Sequence, residues 1–277
     1  MDIKLEGVSV SFPGFGIAGL SLSAGDGSFT SIVGPSGCGK TTVLRVIAGL
    51  QPTSSGRVLF SGRDVTFSEP EERNAGFVFQ QDSLFTHMSV AENVAFGPRM
   101  RKLPGIEKIV EAALATVHLS GFGSRSVDSL SGGERKRVAI ARAIASKPAV
   151  LLLDEPMNGL DAKLRERMKA LLRELRESTG ITVILVTHDI DEAFSISDKI
   201  VVMNNGSVEQ AGTPLEIFTE PATVFVRDFV SDYVIAEGTA SSTGGKAFIE
   251  GSFRIPSGGR KPGKKAYVNI KKGSWRW

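Results

Sequence analysis

A short apolar run that ends directly at a glycine-rich loop constrains the fold of this chain more than any other sequence feature. The run spans Phe29–Val33, and the loop that follows reads Gly34-Pro-Ser-Gly-Cys-Gly-Lys-Thr41. Residues 41–50 then carry apolar side chains at helical spacing and end near a glycine. Strand, glycine loop and helix in this order are the context that a phosphate-binding loop requires. The sequence therefore predicts an α/β fold in which one helix begins at a nucleotide.

The residue types in the loop fit this interpretation. Its glycines allow tight turns that aim backbone N–H groups at an anion, and Lys40 places a positive charge near the β- and γ-phosphates. The hydroxyl of Thr41 is the expected ligand for Mg²⁺. Cys38 stands where side-chain identity matters little, so we interpret it as a small filler. The predicted nucleotide contacts are Gly34, Pro35, Ser36, Gly37, Cys38, Gly39, Lys40, Thr41 and Thr42.

Polar side chains follow three further apolar strands. Asp154 and Glu155 come after the run Val150–Leu153, Gln80 after a strand that ends at Phe79, and His188 after a run that ends at Thr187. Strands that alternate with helices form a largely parallel sheet, and the carboxyl ends of such strands bind ligands. We expect these side chains to converge on the glycine loop.

Each of them has a predicted role in phosphate chemistry. Asp154 would hold Mg²⁺, and Glu155 would accept a proton from the attacking water or orient it. His188 would contact the γ-phosphate, and Gln80 would help to bind Mg²⁺ and water. The alternative, in which the two acids only cap a strand–turn junction, is weakened by the phosphate loop in the same chain.

The segment Leu130-Ser-Gly-Gly-Glu134 is a second glycine-containing helix start. Ser131 as N-cap with Glu134 three residues later forms a capping box, and the following residues continue the helical period to Ala145. Such a helix start attracts anions. Taken alone, it would be an ordinary capped helix.

Length and composition limit the possible classes. The chain has 277 residues, a net charge of +3 and one cysteine, so we expect one large domain, with or without a small appendage, and no intramolecular disulfide. The apolar runs are shorter than the roughly 20 residues of a membrane-spanning helix. The N-terminus lacks the pattern of a secretion signal, which favours the cytosol.

The chain organisation suggests two parts. Residues 1–230 read as one α/β domain with alternating strands at the start and a helical insert at about 84–146. From about residue 231 the composition shifts towards Gly, Ser, Thr and Lys with short strand-like pieces. These pieces are Ala247–Ile249, Phe253–Ile255 and Ala266–Ile270. We predict a small β appendage over residues 231–277.

The order of these motifs resembles the ATP-binding cassette (ABC) ATPases over nearly all of residues 1–230. The resemblance implies a P-loop NTPase nucleotide-binding domain with an antiparallel β subdomain and a helical insert. In that family two cassettes close head to tail on ATP, and an aromatic residue stacks on adenine, a position matched here by Phe12, which would otherwise be a core residue at a strand end. The residues implied to contact the ATP of the partner subunit are Ser131, Gly132, Gly133, Glu134 and Asp161.

Two departures from the family pattern are visible. Glu134 replaces the more usual glutamine, a tolerated variation. Met157-Asn158-Gly159 replaces a serine-containing loop before Leu160-Asp161, which bears on communication across the dimer. Because Glu155 is present, hydrolysis is still expected.

Further motifs, including Val90-Ala-Glu-Asn-Val94 and Gly212-Thr-Pro214, resemble ATPase subunits of importers. The resemblance implies an ATPase at the cytoplasmic face of the inner membrane, with ATP and Mg²⁺, a second copy or a paralogous cassette, permease subunits, indirectly a substrate-binding protein, and no nucleic acid. The appendage resembles the first half of an OB-like regulatory domain. The segment 225–230 favours a polyamine or ferric iron as cargo over sulfate, molybdate, thiamine or phosphonate. The alternatives are a soluble cassette acting on DNA or ribosomes, and a nucleotide sensor without turnover.

Overall fold

A computed structural model describes residues 1–230 and the strand backbones at 233–243, 246–251, 254–256 and 265–271. The chain divides into two compact units, Met1–Ala211 and Gly212–Trp277. This division falls earlier in the chain than residue 230. The assignment of residues 1–230 to one functional domain and 231–277 to an appendage stays a prediction.

The elements alternate along the chain as the sequence indicates. The strands are β1 (Ile3–Phe12), β2 (Phe15–Ala24), β3 (Phe29–Val33), β4 (Ser55–Phe60), β5 (Arg63–Asp64), β6 (Ala75–Val78), β7 (Val150–Asp154), β8 (Thr182–Thr187), β9 (Lys199–Asn204), β10 (Ser207–Gly212), β11 (Tyr233–Thr243), β12 (Lys246–Gly251), β13 (Arg254–Pro256) and β14 (Lys265–Lys271). The helices are α1 (Lys40–Ala48), α2 (Val90–Met100), α3 (Ile106–Thr116), α4 (Gly132–Ile144), α5 (Ala162–Thr179), α6 (Ile190–Ile196), α7 (Pro214–Thr219) and α8 (Val224–Phe229). Short 3₁₀ turns lie at Pro70–Arg73 and Val127–Ser129.

A six-stranded sheet with the order β10-β9-β3-β8-β7-β6 forms the centre of the first unit. The pairs β3/β8, β3/β9, β6/β7 and β7/β8 are all parallel. Every residue of β3, β7 and β8 is buried, which explains why these strands read as continuous apolar runs. Because the strands are parallel, the carboxyl ends of β3, β6, β7 and β8 lie at one edge, as predicted.

A second sheet, with the order β2-β1-β4-β5, is antiparallel. One apolar cluster joins Leu5 of β1, Leu44 and Ile47 of α1, and Leu152 of β7. The helix that follows the glycine loop is therefore packed into the core that includes both sheets. This burial fixes α1, and with it the start of α1, against the edge of the central sheet.

The predicted helical insert consists of α2, α3 and α4. Its apolar residues, such as Val94, Leu114 and Ile140, share one buried cluster with Leu151 of β7. α2 runs to Met100 through Pro98, further than the sequence period at 90–95 indicates. At Gly97, α2 lies close to Ser146: a Cβ on Gly97 would be 2.7 Å from the Ser146 hydroxyl oxygen.

In the second unit, β11 to β14 form an antiparallel sheet with the order β13-β12-β11-β14. The predicted pieces Ala247–Ile249 and Ala266–Ile270 lie in β12 and β14, and β13 covers Arg254 and Ile255 of the third piece, whose Phe253 lies outside the described residues. The likeness to an OB-like domain stays a prediction. In the described part of the chain, no helix combines the length and hydropathy that crossing a bilayer demands.

Candidate active site

The glycine loop between β3 and α1 has a backbone that only glycine fits at its first position. Gly34 has a φ of 154°, and a Cβ there would lie 2.1 Å from the carbonyl oxygen of Met203 in β9. Gly39, the N-cap of α1, has a left-handed backbone with φ 103°, and no side chain caps the helix. The first turn of α1 is therefore shaped by glycines and is not closed by a capping side chain.

Lys40 lies inside this loop. Its side chain is 5% exposed, and its Nζ donates hydrogen bonds to the carbonyls of Gly34 and Pro35, both at 2.8 Å. The Cys38 sulfur lies 3.9 Å from the same Nζ, and burial raises the pKa of the thiol, which agrees with a neutral, space-filling cysteine. The ammonium group is thus held by the loop, where an anion bound to the loop would meet its charge.

Thr41 and Asp154 meet across the end of the sheet. The Thr41 hydroxyl donates to Asp154 Oδ1 at 2.9 Å, and Asp154 is 3% exposed. Burial raises the pKa of Asp154, and the hydrogen bond from Thr41 opposes this shift. A hydroxyl and a carboxylate side by side are hard oxygen donors that suit Mg²⁺. The pair fits the metal predicted from the sequence.

Glu155 receives three polar side chains. Gln80 and Asn158 each donate an amide N–H to Oε2 at 3.0 Å, and His188 Nδ1 lies 3.3 Å from Oε1. The backbone of Glu155 is left-handed, with φ 46°. Its N–H bonds to the carbonyl of Val186 in β8 at 2.9 Å, which fixes the turn against the sheet. The structure therefore brings the predicted residues Gln80, Glu155 and His188 together.

A cleft of about 380 Å³ joins the loop to this carboxylate. Its lining residues are Ser36, Gly37, Gly39, Lys40, Thr41, Gln80, Glu155, Asn158 and His188. All were predicted as site residues except Asn158. The sequence marks Asn158 only as a departure from the family loop, and no motif at that position predicts its contact with Glu155.

The second glycine-containing helix start lies outside this cleft. The predicted capping box is present: Glu134 N–H bonds to Ser131 Oγ, and Ser131 N–H bonds to Glu134 Oε2 at 2.8 Å. Asp161 caps α5 by accepting from Leu164 N–H at 2.8 Å. None of the described residues that line the cleft belongs to 131–134.

The profile of the ABC transporter family matches residues 17–158. A sulfate/thiosulfate import ATP-binding protein of Thermosynechococcus vestitus is 47% identical over 252 residues, which cover 87% of this chain and 75% of that protein. The chain belongs to the ABC transporter family of ATPases. A spermidine/putrescine import ATP-binding protein of Photobacterium profundum is 50% identical, and the match covers 86% of this cassette and 64% of the relative.

Solved structures agree with this assignment. The ATP-binding cassette MJ0796, solved as a dimer in a post-hydrolysis state with ADP and Pi, has a TM-score of 0.68 and 33% identity over 76% of this chain and 98% of its own. The cassette cbiO1 from Clostridium perfringens, part of the ABC transporter complex cbiONQ, has a TM-score of 0.73 and 35% identity over 79% of this chain and 91% of its own. The predicted fold class is confirmed.

Phe12 ends β1 of the cassette and is 37% exposed. Its ring stacks on Phe15, with centroids 6.4 Å apart and planes 18° apart. The two rings are nearly parallel, and the exposed fraction of Phe12 is large enough for contact with a planar base. Its role in binding adenine stays a prediction.

Proposed function

We propose that this chain is the ATP-hydrolysing subunit of an ABC importer, in which two cassettes bind ATP between them and move separate membrane subunits. The single observation that carries the proposal is that Lys40, Thr41 and Glu155 line one cleft, with Thr41 hydrogen-bonded to the buried Asp154. A base, a metal-binding pair and a phosphate-binding helix start are the parts that nucleotide hydrolysis requires.

Each of these parts has its own role in the proposed mechanism. The phosphates of ATP would lie on the first turn of α1, with the Lys40 ammonium against them. Thr41 and Asp154 would hold Mg²⁺, which neutralises charge on the phosphate oxygens. Glu155 would take a proton from a water whose oxygen bonds to the γ-phosphorus as the bond to ADP breaks. His188, within 3.3 Å of Glu155, would contact the γ-phosphate.

The second copy completes this site in the proposal. Gly132 and Gly133 have room for a Cβ, whose nearest contacts would be Arg135 Nη2 at 4.0 Å and the Leu164 side chain at 3.5 Å. Packing within the chain therefore does not require glycine at either position, whereas close approach of a nucleotide from outside would. This supports contact of Ser131, Gly132, Gly133, Glu134 and Asp161 with ATP held by the partner, and MJ0796 was solved as a dimer.

The proposed location is the cytoplasmic face of the inner membrane, with permease subunits contacting residues 80–88 and part of the helical insert. The relative cbiO1 is part of a transporter complex, which supports such an assembly. The proposed cargo is a polyamine, because several relatives of about half identity are named for spermidine and putrescine import. Sulfate is the second candidate, favoured by the relative at 47% identity. The relatives named here give no support to ferric iron, or to an action on DNA or ribosomes.

Substitution of the proposed base tests hydrolysis directly. Glu155→Gln keeps the size of the side chain and removes the negative charge, so we expect turnover to fall at least about 100-fold while ATP still binds. Size-exclusion chromatography with ATP and Mg²⁺ should then show a stable dimer. The matched control is Glu71→Gln, an exposed glutamate away from the cleft. Turnover that persists in Glu155→Gln would refute the assignment of the base.

The cargo requires the assembled transporter. The cassette would be purified from membranes with its bound permease subunits and placed in vesicles with the cognate binding protein. We expect uptake of labelled spermidine that depends on ATP and is lost in Glu155→Gln. Uptake of labelled sulfate instead would replace the cargo proposal, and recovery of ribosomes or DNA with the cassette would overturn the importer itself.

A further inference from the structure

Asn158 lines the cleft, but the proposed mechanism gives its side chain no role. Its side chain is exposed towards the cleft, and its amide nitrogen lies 3.0 Å from Oε2 of Glu155.

The local backbone places Asn158 on Glu155. Glu155 is left-handed with φ 46°, and Asn158 N–H donates to the Glu155 carbonyl at 3.1 Å, so residues 155–158 form a closed turn. Met157 in the same turn is fully buried and anchors it in the core. Gly159, with φ 76°, then allows the chain to leave the turn. The turn therefore folds the Asn158 side chain back towards the residue that begins it.

The two amides that bind Glu155 come from independent segments. Gln80 follows β6, whereas Asn158 lies in the turn after β7, and both donate to Oε2. A carboxylate on a flexible side chain can rotate about its last torsion, and two donors on one oxygen restrict this rotation. Oε1 is left next to His188. Asn158 thus helps to decide which oxygen of Glu155 faces the reacting groups.

We propose that Asn158 is a positioning residue that orients Glu155 for proton transfer. The inference rests on the proposed function, because it assumes that Glu155 is the base.

Removal of the amide is the first test. In Asn158→Ala, we expect kcat to fall roughly 10-fold because the base loses its fixed orientation, while the affinity for ATP stays within about 2-fold. The thermal midpoint should not change, because the side chain is exposed. Gln51→Ala is the control, since Gln51 also carries an amide, which donates to the carbonyl of Pro52, and Gln51 is not among the residues that line the cleft.

A charge at the same position gives a readout that a purely structural role would not produce. Asn158→Asp keeps the size of the side chain but replaces the donating amide by a carboxylate that repels Glu155, so kcat should fall at least as far as in Asn158→Ala while the affinity for ATP stays within about 2-fold. Full kcat in Asn158→Ala or in Asn158→Asp would overturn the inference.

Failure of the inference can be distinguished from failure of the proposed function. If Glu155→Gln abolishes turnover and Asn158→Ala does not lower it, only the role of Asn158 is wrong. If Glu155→Gln still turns over, the base itself is wrong, and the inference is overturned with it.

Discussion

The helices α1 and α4 both begin with glycines, but their first turns are built in opposite ways. α1 starts at Gly39 with no side-chain cap, whereas Ser131 and Glu134 cap α4 reciprocally. A Cβ at Gly34 before α1 would collide with a carbonyl at 2.1 Å, whereas one at Gly132 in α4 would meet nothing nearer than 4.0 Å. The glycines before α1 are required by the fold of the chain, and those of α4 are required, in our proposal, by a second molecule.

The largest expected effect follows from breaking the α1 side of this comparison. Gly34→Ala forces a Cβ against the Met203 carbonyl at a φ that alanine rarely adopts, so we expect destabilisation of roughly 3 kcal/mol or more. ATP binding, measured by calorimetry, should be lost. The matched control is Gly37→Ala, where φ is 80° but an added Cβ would have no atom of the described residues within 4 Å. Its stability loss should be smaller, and equal losses would contradict the collision argument.

The second-largest expected effect follows from a substitution at the start of α4. Gly132→Ala should leave the thermal midpoint and ATP affinity of the single chain unchanged, yet lower turnover about 100-fold by keeping the partner's nucleotide at a distance. Mixing it with a Lys40→Ala variant should restore at most one working site per dimer. A lowered thermal midpoint in Gly132→Ala would show that this glycine serves its own chain after all.

A smaller effect concerns Asp154, which bonds to the first turn of α1. Burial raises its pKa above the ordinary 3.8, so the ionised form lowers stability at neutral pH. Asp154→Asn should raise the thermal midpoint at pH 7 by about 2–4 °C while hydrolysis is lost. The gain in thermal midpoint should shrink as the pH falls through the folded-state pKa of Asp154, since the side chain at position 154 is then neutral in both the wild type and the variant. A gain that is independent of pH would show that charge burial is not its cause.

The smallest effect concerns the cap of α4. The hydrogen bonds from Ser131 lower the pKa of Glu134, so this carboxylate stabilises the fold at neutral pH and loses that contribution as the pH falls below 4.5 through the folded-state pKa. The free energy of unfolding of Glu134→Gln should therefore differ from that of wild type by less than about 1 kcal/mol. This difference should change with pH only in the acidic range. Thermal melts between pH 3 and pH 7 would check this. Turnover should stay close to wild type.

The sequence predicted the features that depend on local pattern. The buried strands β3, β7 and β8 appear as uninterrupted apolar runs, and the capping box at Ser131 follows from residues three positions apart. The meeting of Gln80, Glu155 and His188 was also predictable, because parallel strands direct their carboxyl ends to one edge. These predictions needed no knowledge of distant contacts.

The features that the sequence did not predict depend on long-range packing. Arg73 is an example: it is 5% exposed and donates to the carbonyls of Val46 and Ile47 at the end of α1. No pattern in the sequence near α1 predicts that Arg73 binds the end of this helix. The Asn158 contact depends on a left-handed Glu155, and a non-glycine residue with positive φ has no reliable sequence signature.

The wall of the nucleotide loop comes from a distant part of the chain. The Met203 carbonyl lies against Gly34, and the Gly206 N–H donates to the Cys38 carbonyl at 3.1 Å. During synthesis the glycine loop emerges long before Met203 and Gly206. The chain between them has to fold back and bring these two residues to the loop before the site is complete. A nascent chain halted before Met203 would carry every residue of the loop motif but not the two contacts that hold its backbone. Formation of the complete loop therefore has to wait until most of the first unit has been synthesised.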